Sequence, residues 1–390
     1  MRLTNPLVIF LGVWILTFAL FSLHLSALLL QSPRDALSLF LVITVPFLCG
    51  YGIIWAINAR LRPDKWQDSE VRRHFSLSIE SRLDSLRRKL LVFSCIWAAI
   101  SVVEIVASRG LPIVWLFTGS GLRYSDFGIP SLHGFTNSLL LATSLVSTGL
   151  YFHTGRRRFL IMPVVSLLWS VVVISRNLLL VNVLQMFLLW MRFYARNIVR
   201  TLARSLLFAL AILYVFGVVG DIRTGARNFI NVAQPTVEIP AWVPSGFFWA
   251  YMYLTTPANN MLYDVLTVRP LDTGALPNTL SLLLPSVLRT TLLPNAGDSS
   301  ANLVAQAFNV SSAYEGPYQD EGVPGIFVYS ALIALVSTIF WYKRSLIGYF
   351  GYCVLAQCIF FSNFYNHFLY LPVVFQFFWF YVYRTRFTRR

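Results

Sequence analysis

Apolar stretches about as long as a bilayer is thick recur along the whole of this 390-residue chain, and nothing constrains its fold more tightly. In hydrocarbon every backbone N–H and C=O must find a partner within the protein, which leaves helices or a closed barrel. The stretches run on without polar alternation, so helices are expected. Charged residues make up 12% of the chain against 57% hydrophobic ones, about half the charged share of a soluble domain. The expected fold is all-α: one membrane domain over residues 1–390, a polytopic bundle of about ten transmembrane helices.

The expected spans are Pro6–Leu23, Ala36–Asn58, Leu90–Ala107, Ser131–Phe152, Phe159–Ser175, Leu178–Met191, Ser205–Gly220, Gly325–Tyr342, Leu346–Ser362 and Phe368–Tyr383. Only Arg176 and Asn177 interrupt Phe159–Met191, which reads as a tight hairpin or as one long broken segment. The first segment has no small-residue cleavage site and is expected to be retained. With both termini cytoplasmic, 23 of the 31 Lys and Arg fall in cytoplasmic loops, nine of them between Arg60 and Lys89 and four between Arg192 and Arg204. The net charge of +15 is then topogenic charge facing anionic headgroups, and no nucleic acid is required.

Residues 59–89 mix charges with Phe75, Leu77, Ile79, Leu83 and Leu86, a pattern suited to a helix along the inner leaflet. Cys49, Cys95, Cys353 and Cys358 lie in apolar stretches without Cys-x-x-Cys spacing and are expected as buried free thiols. Residues 221–323 hold no bilayer-length apolar run but are rich in aromatics, such as Trp242, Phe247, Phe248, Trp249, Tyr251 and Tyr253. They are expected to form a large outer loop of short interfacial or re-entrant helices capping a cavity.

Glu104 is the one carboxylate inside an expected span. It reads either as a structural pair with an arginine or as a site residue. Arg176 interrupts two spans where topogenic charge is not expected, and reads as a snorkelling end-cap or as an anion contact whose planar fork suits phosphate.

Three stretches, Glu104–Gly134, Ile174–Asn177 and Phe308–Gly325 (FNVSSAYEGPYQDEGVPG), together resemble the oligosaccharide repeat-unit polymerases, the O-antigen polymerase group of Gram-negative bacteria. Tyr251–Leu262 adds to the likeness, and Glu321 departs from it, standing where a hydrophobic residue commonly follows the aspartate. The resemblance implies a GT-C-like bundle in the inner membrane. It would act as a glycosyltransferase that joins undecaprenyl-diphosphate-linked oligosaccharides on the periplasmic face, without a nucleotide sugar and with membrane lipids around it. A chain-length regulator is the protein partner such an enzyme would take.

That chemistry wants a base for the acceptor hydroxyl and cations for the leaving diphosphate. Asp320 and Glu315 lead as bases, followed by Glu104, Glu321 and His133. Asp320 also reads as part of a turn and helix start, since Gly-Val-Pro-Gly follows two residues on. Arg176, Arg123, Arg223 and Arg227 would neutralise the diphosphate, and Asn309 and Tyr314 would position a sugar. No Asp-x-Asp occurs and the five histidines are dispersed, so neither a metal nor another cofactor is expected. A ligase that moves finished glycan onto a lipid acceptor is the nearest rival. A transporter is a rival from another class, though no inverted repeat is visible.

Overall fold

The computed structural model describes all residues except 1–2, 62–67, 196, 198, 204–205, 208, 212–213, 215–227, 241, 273, 275, 294–302, 307 and 386–390. Among the described residues the molecule is helical, and its only β pairing is an isolated bridge between Ser26 and Pro235. The principal helices are α1 (Pro6–Phe21), α2 (Pro33–Leu61), α3 (Asp68–Glu80), α4 (Leu83–Ala107), α5 (Pro112–Thr118), α6 (Leu132–Thr154), α7 (Ile161–Val172) and α8 (Arg176–Phe193). After these come α9 (Ser245–Thr267), α10 (Glu315–Tyr342), α11 (Leu346–Phe360) and α12 (Gln376–Arg384).

Among the described residues three segments are long and apolar enough to cross a membrane: Pro33–Arg60, Leu83–Thr118 and Glu315–Tyr342. Only 22–33% of their apolar windows is buried. Large side chains such as Leu37, Leu41, Val102, Val106, Val328 and Leu332 are exposed along them. That outward apolar surface belongs to a protein whose solvent is lipid. α7 has 12 residues and α12 has 9, both shorter than the roughly 20 residues a span needs. The segment expected at Ser205–Gly220 lies largely outside the described residues.

Two apolar cores meet on α11. One gathers α3, α4, α6, α7, α8 and α12, and the other α1, α2, α9 and α10. Every residue of α11 from Leu346 to Ile359 is buried, so this 15-residue helix is the axle of the fold. Its start is fixed by Ser345, whose hydroxyl accepts from the Gly348 N–H at 3.1 Å. α10 packs along α2 at a small-residue crossing: a Cβ on Gly50 would lie 2.7 Å from the Ala331 carbonyl oxygen. Ser330 donates to the Ile43 carbonyl at 2.6 Å across the same contact.

Four expectations change. The apolar stripe of α3, Val71, Phe75 and Ile79, is buried against protein, with Phe75 stacked on Phe193 at 4.1 Å and edge-on to Tyr349 at 5.3 Å. Periodicity fixed the stripe but not what it faces, and here it faces the bundle instead of lipid. Cys49 and Cys95 are exposed, whereas Cys353 and Cys358 are buried, because the outer faces of α2 and α4 meet lipid and α11 does not. Lys89 and Arg192, counted as loop charge, are 2% and 3% exposed. The 221–323 region holds more than short helices. α9 is 23 residues long and packs on α1, with the Asn259 and Asn260 side chains donating to the Leu28 and Phe308 carbonyls.

Candidate functional site

α8 begins where Ser175 caps it, its hydroxyl accepting from the Leu178 N–H at 3.3 Å. Ile174, just before, has φ +56°, a region a β-branched residue enters only when its surroundings impose it. This held turn leaves Arg176 exposed and sets the Asn177 side chain against His367, with Oδ1 3.0 Å from Nε2. His367 is fully buried, and burial pushes its imidazole down to about 3, so the ring is neutral. Gln357 donates to its Nδ1 at 2.9 Å, which leaves the ring proton on Nε2 for Asn177. Gln185 in turn donates to Gln357 at 3.2 Å. Sequence reasoning set His367 aside because no metal-ligand spacing surrounds it, and its partners come from α8 and α11.

The loop carrying His367 is the hub of this end. Its Asn363 side chain donates to the Leu254 carbonyl at 2.8 Å, and Asn366 accepts from the Tyr329 hydroxyl at 2.7 Å. The Ser362 carbonyl accepts from the Ala313 N–H at 2.8 Å. Arg176 and Tyr124 both lie near enough to act electrostatically on the Tyr253 phenol, whose ring sits 5.7 Å from Phe364. The loop bearing the predicted Arg123, itself exposed, is thereby brought toward Arg176. Arg289 acts in the same way on Tyr365. Among the described residues neither Arg176 nor Arg289 has a carboxylate partner. Arg223 and Arg227 lie outside the described residues.

The predicted carboxylates separate into three environments. Asp320 is fully buried, and its two oxygens accept the backbone N–H groups of Asn278 at 3.0 Å and Thr279 at 2.7 Å. It therefore pins the short helix Pro277–Leu280 to α10, within which Asp320 itself lies. Glu321 accepts from the Gly274 N–H at 2.8 Å and pins the same stretch. Glu315 faces the other way. Its oxygens accept from Ser311 at 2.5 Å and from Gln319 at 2.8 Å, and its carboxyl hydrogen-bonds to that of Asp264, which is fully buried on α9. Asp264 went unnoticed because it lies 51 positions before Glu315 and only the packing of α9 joins them.

Glu104, also fully buried, meets His133 and not an arginine, with Oε2 3.2 Å from Nδ1. Ser131, immediately before α6, has φ +68° and turns His133 toward it. Tyr314 is wholly buried, edge-on to Trp14 at 5.6 Å and to Tyr329 at 6.0 Å, so it packs the core and does not meet a sugar. Asn309 is exposed. Among the described residues no group of three or more His, Cys, Asp or Glu side chains is placed to hold a metal ion. No protein family, curated protein or solved structure matches the chain.

Proposed function

We propose that this helical membrane protein is a glycosyltransferase that polymerises lipid-diphosphate-linked oligosaccharide repeats at the outer face of the bacterial inner membrane. In this reading about ten segments cross the bilayer, both termini are cytoplasmic, and the end bearing Arg176 is periplasmic. The observation that carries it is the gathering, at one end of the bundle, of exposed arginines without carboxylate partners and the hydrogen-bonded carboxyls of Glu315 and Asp264. Arg176, flanked by Tyr253 and by the Arg123 loop, takes the diphosphate, since a guanidinium fork matches phosphate oxygens in pairs. The Glu315–Asp264 pair takes the proton of the acceptor hydroxyl as its oxygen attacks the anomeric carbon. The bond from that carbon to the diphosphate breaks, and the diphosphate leaves with the electron pair. Asp320 is no longer the first choice of base, because both its oxygens already accept backbone N–H groups.

The test is complementation of a deletion strain. Wild type restores long glycan, and Arg176→Ala loses polymer at least 100-fold while its abundance in the membrane is unchanged. Normal chain length from Arg176→Ala would overturn the role of that arginine. A deletion strain that accumulates lipid-linked long polymer, and not single repeats, would replace polymerase by ligase.

A further inference from the structure

We propose that α4 and α7, at their end away from Arg176, hold an anionic phospholipid, with its phosphodiester at Arg87 and Arg158 and an acyl chain along the outward face of α7. Topogenic charge acts as a sum over loops and needs no site. Here two guanidiniums from separate elements converge on one side chain. Phe159 lies in the short helical turn Arg157–Leu160 that leads into α7. Arg87 of α4 is 5.9 Å from the centre of its ring, and Arg158 is 5.2 Å from the same centre. The ring is 3% exposed, so it is a fixed post that sets where both cations stand.

The charge around this post is one-sided. Arg156, Arg157 and Arg158 are exposed and have no carboxylate partner among the described residues, and Arg88 is exposed beside Arg87. Against them stands Asp84, whose Oδ1 is 3.4 Å from Arg87 Nη1 and whose side chain is 86% exposed. An ion pair that wet contributes little and does not neutralise the group. Like charges gathered this closely repel until an anion joins them.

The cations border an apolar strip. Ile161, Val164, Leu168 and Val171 recur on one face of α7 and are 49–61% exposed. At 1.5 Å per residue they span about 15 Å, the depth of one leaflet's hydrocarbon. Across from them Leu91, one turn beyond Arg87, is 68% exposed. The two helices stay side by side over this depth, since the rings of Trp97 and Trp169, ten residues beyond Arg87 and Phe159, meet edge-to-face at 5.4 Å.

A phosphodiester brings one negative charge and two unesterified oxygens, which guanidinium N–H groups match in pairs. The chains on its glycerol cover the strip. Free phosphate would leave that strip bare, and a choline headgroup would set a further cation among the arginines. In the topology proposed above this is the inner leaflet. The site requires a membrane protein but not a glycan polymerase.

Full-length protein, purified in detergent and stripped of lipid, is titrated with phosphatidylglycerol, with phosphatidylcholine of the same chain length, or with glycerol phosphate, and bound ligand is counted by native mass spectrometry. Phosphatidylglycerol should bind about tenfold more tightly than phosphatidylcholine, and Arg158→Ala should weaken it about fivefold. Arg87→Ala should do the same, and if that variant misfolds Arg158→Ala decides alone. Leu168→Asn should weaken both lipids alike. Arg200→Ala, at an exposed arginine on another loop of this side, should change nothing. Equal binding of the two lipids would overturn the site, and so would a loss from Arg200→Ala as large as that from Arg158→Ala. Glycerol phosphate binding as tightly as the lipid would make it an anion site and not a lipid site, and would overturn it too. Selective lipid binding by a protein that makes no polymer would leave the site standing and remove only the polymerase.

Discussion

The two ends of the bundle treat positive charge in opposite ways. At the end where α8, α10 and α12 finish, two cations are buried on helix C-termini. The Arg192 guanidinium donates to the Trp341 carbonyl at 2.8 Å and lies 4.3 Å from the Trp341 ring and 4.2 Å from the Tyr352 ring. Lys89 donates to the Val382 carbonyl at 2.5 Å and to the Thr385 hydroxyl at 2.8 Å, and also to the Thr385 carbonyl. Each neutralises the negative end of a helix dipole and satisfies carbonyls that the helix itself cannot. At the other end Arg176 is exposed beside tyrosines, and a neutral histidine, amides and a carboxyl pair do the joining. Cations that hold helices together are consumed by the fold. Cations left without a partner around a hub of neutral hydrogen bonds are free for an anionic ligand.

The sharpest way to break this contrast is to truncate one arginine from each end. Arg192→Ala should cost about 3 kcal/mol or more, through lost packing and an orphaned carbonyl, and lower the unfolding midpoint in detergent. Arg176→Ala should leave that midpoint within about 0.5 kcal/mol of wild type. Equal destabilisation by the two would erase the distinction.

Next in size is Gly325→Ala. An added Cβ would lie 2.1 Å from the Pro317 carbonyl oxygen, where the chain closes on itself past the break at Gly322 (φ +64°). A loss of about 1–3 kcal/mol is expected, read by the same unfolding midpoint.

The neutral hub predicts a pH dependence. The folded His367 binds a proton only near pH 3, whereas the unfolded one binds near 6.5, so the unfolded chain holds more protons between those values. Stability from this residue is complete above about pH 6.5 and falls as pH drops toward 3, by up to about 1.4 kcal/mol per pH unit. His367→Gln should flatten that part of the midpoint-versus-pH curve relative to wild type. Parallel curves would show that the ring is not held neutral.

The smallest effect is expected at Arg158, exposed with its guanidinium 5.2 Å from the Phe159 ring. Arg158→Ala should shift stability by about 0.5 kcal/mol or less.

Helices were legible from hydropathy wherever a segment met lipid on one side, as at α2, α4 and α10, because the apolar surface there must be continuous. They were less legible where partners are protein. α9 carries Asn259, Asn260 and Asp264, which no bilayer would accept, yet it is a long helix because Asn259 bonds the Leu28 carbonyl at 3.0 Å and Asn260 the Phe308 carbonyl at 2.8 Å. At the site, Arg176 was visible as an interruption between apolar runs, and Glu104 as a lone acid. Their partners were not. His133 lies 29 positions from Glu104 and His367 lies 190 from Asn177, distances over which sequence carries no pairing signal.

Composition by itself determined that this chain is a helical membrane protein, since lipid tolerates little else, and local residue types determined where several helices start and stop. Only the tertiary structure decided that α3 faces protein, that Lys89 and Arg192 are buried caps, that Asp320 is an anchor, and that the carboxyls of Asp264 and Glu315 meet. The physical reason is common to all four. A charge or an apolar stripe is defined in sequence by what it can do, but its role is set by the partner that packing brings to it.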